Sequence, residues 1–68
     1  SMPDIVISEF MDEAAIAEGL AGLDTCYDPG LVDRPDELKA ALAGARALIV
    51  RNRTRVTADL LAAGPRLQ

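Results

Sequence analysis

Three short apolar runs recur roughly every twenty residues, and none of them alternates with polar residues. They are Ile5-Val6-Ile7, Thr25-Cys26-Tyr27 and Ala47-Leu48-Ile49-Val50. Continuous aliphatic and β-branched runs of this length suit strands covered on both faces, as in parallel sheets. Helical patterns fill the gaps between them. Asp12 stands as an N-cap before Ile16, Leu20 and Leu23, which share one helix face, and Gly22 closes the segment. Asp28-Pro29-Gly30 is turn chemistry, and Leu31 to Arg34 lead into a second helix. Pro35 sits in its first turn, with Leu38, Ala41, Leu42 and Ala45 as its apolar stripe and Gly44 near its end. Thr57 caps a third helix, with Val56 and Leu61 placed as a hydrophobic staple and Leu60 and Leu61 turned inward. Gly64-Pro65 stops it, and Arg66-Leu67-Gln68 reads as the start of a fourth strand.

The pattern is therefore βαβαβα, an α/β chain built from right-handed crossovers. Strand order 2-1-3 places the two most apolar strands side by side, as an incomplete piece of a flavodoxin-like parallel sheet. The second strand, the least apolar, suits an edge.

Composition narrows the function. A core in 68 residues is small, and a lone Cys26 cannot form an internal disulfide. There is no histidine, so the usual zinc sites are excluded. Phe10 and Tyr27 are the only aromatic residues, so the core is aliphatic. Neither a signal peptide nor a transmembrane run is evident, and Ser1 before Met2 reads as a cloning remnant. With a single reduced cysteine, these features predict a cytoplasmic protein. Residues 1–45 hold ten acids and two bases, whereas residues 46–68 hold one acid and five bases. The net charge of −4 argues against nucleic acid as the main partner, and without a transmembrane run no membrane partner is expected.

The basic cluster Arg51-Asn52-Arg53 follows the third strand, where ligands of open α/β sheets sit. Arginine forks make paired, charge-assisted bonds to carboxylate or phosphate. Arg51 and Arg53 could grip such an anion, with Asn52 and the loop N–H groups assisting. The plainer reading is a solvated basic loop, which is the expected role of Arg55. Ser8 and Glu9 also end a strand on this side; a role behind the ligand-holding residues or in the loop is one reading, and a surface position is the expected one for both. Asp28 and Asp33 read as turn and cap residues, Cys26 as an apolar filler without a histidine to activate it, and Tyr27 as packing with its hydroxyl at the rim.

Several stretches together carry a resemblance. Pro3-Asp4-Ile5-Val6-Ile7-Ser8-Glu9, Tyr27-Asp28-Pro29-Gly30-Leu31 and the run from Ala47 through Arg51-Asn52-Arg53-Thr54-Arg55-Val56-Thr57 to Leu61 resemble the opening of the D-2-hydroxyacid dehydrogenases. The likeness is strongest to the 3-phosphoglycerate dehydrogenase branch. It implies hydride transfer between NAD or NADP and a 2-hydroxy or 2-oxo acid, with an arginine holding the substrate. It makes residues 1–68 the first part of the substrate-binding domain. It also implies Arg51, Asn52 and Arg53 as substrate-binding residues, with asparagine at position 52 in place of the family's usual serine. The catalytic histidine and the glycine-rich cofactor loop are not in the sequence. The chain alone is therefore expected to be inactive and to bind no nicotinamide cofactor, its partner being the rest of the dehydrogenase.

Two other readings remain. A receiver-like signalling domain shares the layout, but it needs an aspartate where the third strand ends in Arg51. A small interaction module could self-associate through an open strand edge.

Overall fold

The computed structural model describes residues 2–68. Its elements run β1 (Ile5–Ile7), α1 (Glu13–Gly19), β2 (Thr25–Tyr27), a 3-10 turn (Pro29–Asp33), α2 (Pro35–Leu42), β3 (Ala47–Ile49) and α3 (Ala58–Ala62). The sheet is parallel in the order β2-β1-β3. Val6 pairs with Cys26 on one side and Leu48 on the other. This is the order expected for an incomplete flavodoxin-like α/β piece, and it puts the carboxyl ends of all three strands on one rim.

The central strand is buried at all three positions, which is why Ile5-Val6-Ile7 tolerates no alternation. Val6 joins Leu31, Leu38, Leu42, Ala45 and Leu60 in one buried cluster, with Cys26, Ala41, Leu48 and Leu67 packed against it. Cys26 is thus a half-buried filler, as expected. Ala45 is fully buried although α2 ends at Leu42, because the turn folds it back under the sheet. β3 ends at Ile49, and Val50 lies beyond the paired segment.

Caps set the helix starts. The Asp12 carboxylate accepts from the Ala14 N–H at 2.8 Å, and the Thr57 hydroxyl accepts from the Leu60 N–H at 3.1 Å. Asp28 accepts from the Gly30 N–H at 3.0 Å and opens the 3-10 turn. That turn takes up Leu31, which is buried, so the second helix proper begins at Pro35. Arg34, the residue before it, gives no side-chain cap. Gly22 has φ +83°, the left-handed region in which a side chain is strained.

Two packing expectations fail. α1 ends at Gly19 and buries no residue, and Leu23 lies exposed beyond it. A seven-residue helix with Gly19 as its last member is too short to carry Leu20 and Leu23 on its face. In α3 only Leu60 turns inward, whereas Leu61 is 49% exposed and Val56 is 52% exposed. Adjacent helical residues are rotated by about 100°, so only one of two neighbouring leucines can face a core. Val56 and Leu61 do line the same shallow depression, together with Leu48, Val50, Leu67 and Gln68, beside the outer edge of β3. The Gln68 N–H donates to the Arg46 carbonyl at 3.0 Å, but residues 66–68 form no strand, so the fourth strand expected there is not seen.

Candidate functional site

At the carboxyl rim, Ser8 and Glu9 follow β1 and Arg51 to Thr54 follow β3, so adjacent strands deliver them side by side. The two polar residues of the first strand end are buried, not on the surface as their sequence position suggested. Ser8 is fully buried and Glu9 is 4% exposed. Ser8 continues the sheet, its N–H donating to the Ile49 carbonyl at 3.2 Å and its carbonyl accepting from the Val32 N–H at 3.1 Å. Its hydroxyl shares a hydrogen bond of 2.9 Å with the Thr54 hydroxyl.

Glu9 is the electrostatic centre of the rim. One carboxylate oxygen accepts from the N–H groups of Arg51 and Thr54, both at 2.9 Å, and the other from the Arg53 N–H at 2.8 Å. Burial pushes its pKa upward. The Arg51 N–H, the Thr54 hydroxyl and the Thr54 and Arg53 N–H groups outweigh that effect and hold it at about 2. The buried charge is thus ionised and answered by oriented donors, the condition under which a buried carboxylate is tolerated.

These contacts correct one expectation about the loop. The N–H groups of Arg51, Arg53 and Thr54 are directed at Glu9, so they do not assist an external anion. The side chains and the Asn52 N–H, which is not directed at Glu9, remain for that task. Arg51, Asn52 and Arg53 are all exposed, and they line one cleft of about 240 Å³ with Glu9, Phe10, Pro29 and Val32. The structure thus brings the three expected site residues together at the carboxyl ends of the strands.

The two arginines differ. Arg53 pairs with Asp33 at 2.5 Å, both side chains being mostly exposed, so the pair is weak and exchangeable. Asp33 is therefore an ion-pair partner and not a helix cap. The Arg51 guanidinium makes no ion pair among the described residues. Arg34 is occupied by Asp28 and Glu37, and the Arg34 hydrogen bond chiefly holds the Asp28 carboxyl below its usual range. Lys39 pairs with Asp59 and lines a second cleft with Arg53, Arg55 and Thr57 on the far side of the loop. The Tyr27 hydroxyl, half-buried at the rim, bonds both backbone groups of Met11 and ties down the segment after Phe10. Among the described residues no cluster of three or more His, Cys, Asp or Glu could hold a metal ion, and no helix is long and apolar enough to cross a membrane.

The residues at the rim do not fit a dinucleotide. No strand-to-helix turn here carries the G-x-G-x-x-G glycines, and at the rim the N–H groups of Arg51, Arg53 and Thr54 are taken up by the buried Glu9 carboxylate and are not free to hold a pyrophosphate.

Against known proteins, the chain is 52% identical over 67 residues to the (S)-sulfolactate dehydrogenase of Chromohalobacter salexigens. Along nearly its whole length it is similar to one stretch of a 2-hydroxyacid dehydrogenase. The match takes in 98% of this chain and 22% of that relative, so the chain spans about a fifth of the relative's length. No family model and no solved structure matches.

The sequence put Ser8 and Glu9 at the ligand end of a strand and offered a supporting or loop role for them, but favoured the surface position that the structure overturns. The available signal was weak: two polar residues directly continuing a wholly apolar central strand, on the rim where ligands sit. Their partners lie more than 40 residues away, and no local pattern reports such contacts.

Proposed function

We propose that this chain is the opening part of the substrate-binding domain of an NAD- or NADP-dependent D-2-hydroxyacid dehydrogenase. In this reading Arg51, with Asn52 and Arg53, holds the anionic end of the substrate. The observation that carries it is the convergence of these three side chains on one cleft at the carboxyl rim, with the Arg51 guanidinium in no ion pair among the described residues. The similarity to (S)-sulfolactate dehydrogenase supports it. Sulfolactate is a 2-hydroxy acid with a sulfonate on the next carbon. Because its sulfur-bearing carbon outranks the carboxyl carbon, the S descriptor corresponds to the spatial arrangement of a D-2-hydroxy acid. 3-Phosphoglycerate is also a 2-hydroxy acid with a strong oxyanion at that carbon, so both suit two neighbouring arginines. Arg51 binds one oxyanion, and Arg53 can leave exposed Asp33 to meet the other.

The chain holds no histidine to move the hydroxyl proton and no dinucleotide fold, so both come from elsewhere in the enzyme. The nicotinamide cofactor supplies the hydride chemistry when bound. These residues bind and orient the acid.

Arg51→Ala in the complete enzyme is expected to raise KM for the 2-oxo acid by on the order of ten- to a hundred-fold, the loss of one charged hydrogen-bonding group. KM for the cofactor should not move. An NADH-coupled assay with 3-sulfo- and 3-phosphooxy-2-oxo acids reads both. Unchanged KM and kcat for the acids would remove Arg51 from the site.

A second reading has its own observation, the exposed apolar side chains of Val56 and Leu61 beside the unpaired edge of β3. In it, the edge pairs with a second copy. Light scattering should then give a dimer that Leu61→Glu converts to monomer. A monomeric unsubstituted chain would end that reading.

A further inference from the structure

We infer that Glu9 is a positioning residue for substrate binding, its buried carboxylate fixing the backbone of the Arg51–Thr54 loop so that Arg51 faces the cleft. The inference rests on the proposed role of Arg51 and goes one step behind it.

The geometry is specific. Three N–H groups from a four-residue loop converge on two oxygens at 2.8 to 2.9 Å. Arginine side chains are long, so the direction of the Arg51 backbone decides where its guanidinium reaches. A loop left to solvent would sample many such directions, and holding one of them lowers the entropy lost on binding. The other end of the clamp is itself immobile. Glu9 follows directly on Ser8, which is pinned to Ile49, Val32 and Thr54. The carboxylate therefore transmits the position of the central strand to a loop that would otherwise hang from the end of β3.

A carboxylate suits this task better than an amide. Each of its oxygens only accepts, so all three donors are met. A glutamine would turn an NH2 group toward at least one N–H. The low pKa keeps the group ionised throughout the working range of a dehydrogenase, so the loop does not loosen with ordinary changes of pH. Glu9 is also poorly suited to touch an acid substrate, which its charge would repel. Its effect runs through the loop.

The test is a double-mutant cycle in the complete enzyme with Glu9→Gln and Arg51→Ala. Glu9→Gln is expected to raise KM for the 2-oxo acid on the order of ten-fold, with cofactor KM unchanged. In the Arg51→Ala background the same substitution should add clearly less than about ten-fold, because the principal group it positions is gone and only Asn52 and Arg53 remain on the loop. Independent, multiplying effects would overturn the inference and leave the role of Arg51 standing. No effect of Arg51→Ala would bring down the functional reading first, and the inference with it. Amide hydrogen exchange gives a readout separate from activity. Protection across residues 51–54 should fall in Glu9→Gln while residues 47–49 keep theirs. Equal protection at 51–54 in both proteins would refute the clamp. Should Glu9→Gln fold poorly, Thr54→Ala removes the hydroxyl that meets both Ser8 and Glu9 and leaves the carboxylate with its three N–H donors in place. A smaller rise in acid KM, again diminished in the Arg51→Ala background, is expected, and no rise would count against the inference.

Discussion

Replacing Leu42 with alanine is expected to remove most of the stability of this chain. Leu42 is fully buried on α2, in the cluster with Val6, Leu31, Leu38, Ala45 and Leu60. Deleting a buried leucine side chain costs about 2–5 kcal/mol, the transfer term plus the cavity that remains. A single core of this size rarely supplies more than about 3–5 kcal/mol in total. The two figures are of the same size, so the variant should be largely unfolded at room temperature. The surroundings offer little relief. Its neighbours Val6 and Ala45 are as fully buried as it is, so no solvent-facing side chain can swing in to fill the space. The control is Leu61→Ala, which truncates an exposed leucine and should change stability by less than about 1 kcal/mol. Urea titrations followed by circular dichroism separate the two. Equal midpoints for Leu42→Ala and the unsubstituted chain would show that the cluster is not the stabilising core.

The same residues show how far sequence reasoning reaches. Strand order was legible because Ile5-Val6-Ile7 is apolar at every position, which only a strand covered on both faces requires. Leu38, Leu42 and Ala45 were legible as a buried set from helical spacing, although Ala45 reaches the core from a turn. Leu61 was misplaced because α3 is five residues long, too short for a periodic pattern to fix its phase. In the candidate site, the place of the arginines and Asn52 at the carboxyl rim was legible because they directly follow an apolar strand of an open sheet. The carboxylate behind them was not. A glutamate at a strand end reads as solvated surface by its type. Its burial follows from donors in a loop more than 40 residues onward in sequence, brought alongside only by the pairing of β1 with β3.

That buried carboxylate makes the fold sensitive to acid in a definite range. Glu9 falls from its ordinary 4.5 to about 2 in the folded chain. A depressed folded value means that the unfolded chain binds the proton more readily. The contribution to stability is therefore complete above pH 4.5 and is lost as pH falls toward about 2. Asp28 is shifted in the same direction by its hydrogen bond to Arg34, and it deepens the loss at the acid end. Lys39, raised chiefly by its hydrogen bond to Asp59, acts at the opposite end. Its contribution is present below its ordinary 10.5 and fades only as pH rises through the higher folded value. Between these limits stability should be nearly flat. Urea midpoints taken from pH 7 down to 2.5 should thus hold steady and then drop below about 4.5, where carboxylates begin to take up protons. The decisive comparison is with Glu9→Gln, which has no proton to gain at this position. Its midpoint should start lower at pH 7 and fall less steeply in acid, so that the two curves converge near pH 2.5. Parallel curves with a constant offset would mean that Glu9 is not held ionised by the loop, and that its burial is stabilised in some other way.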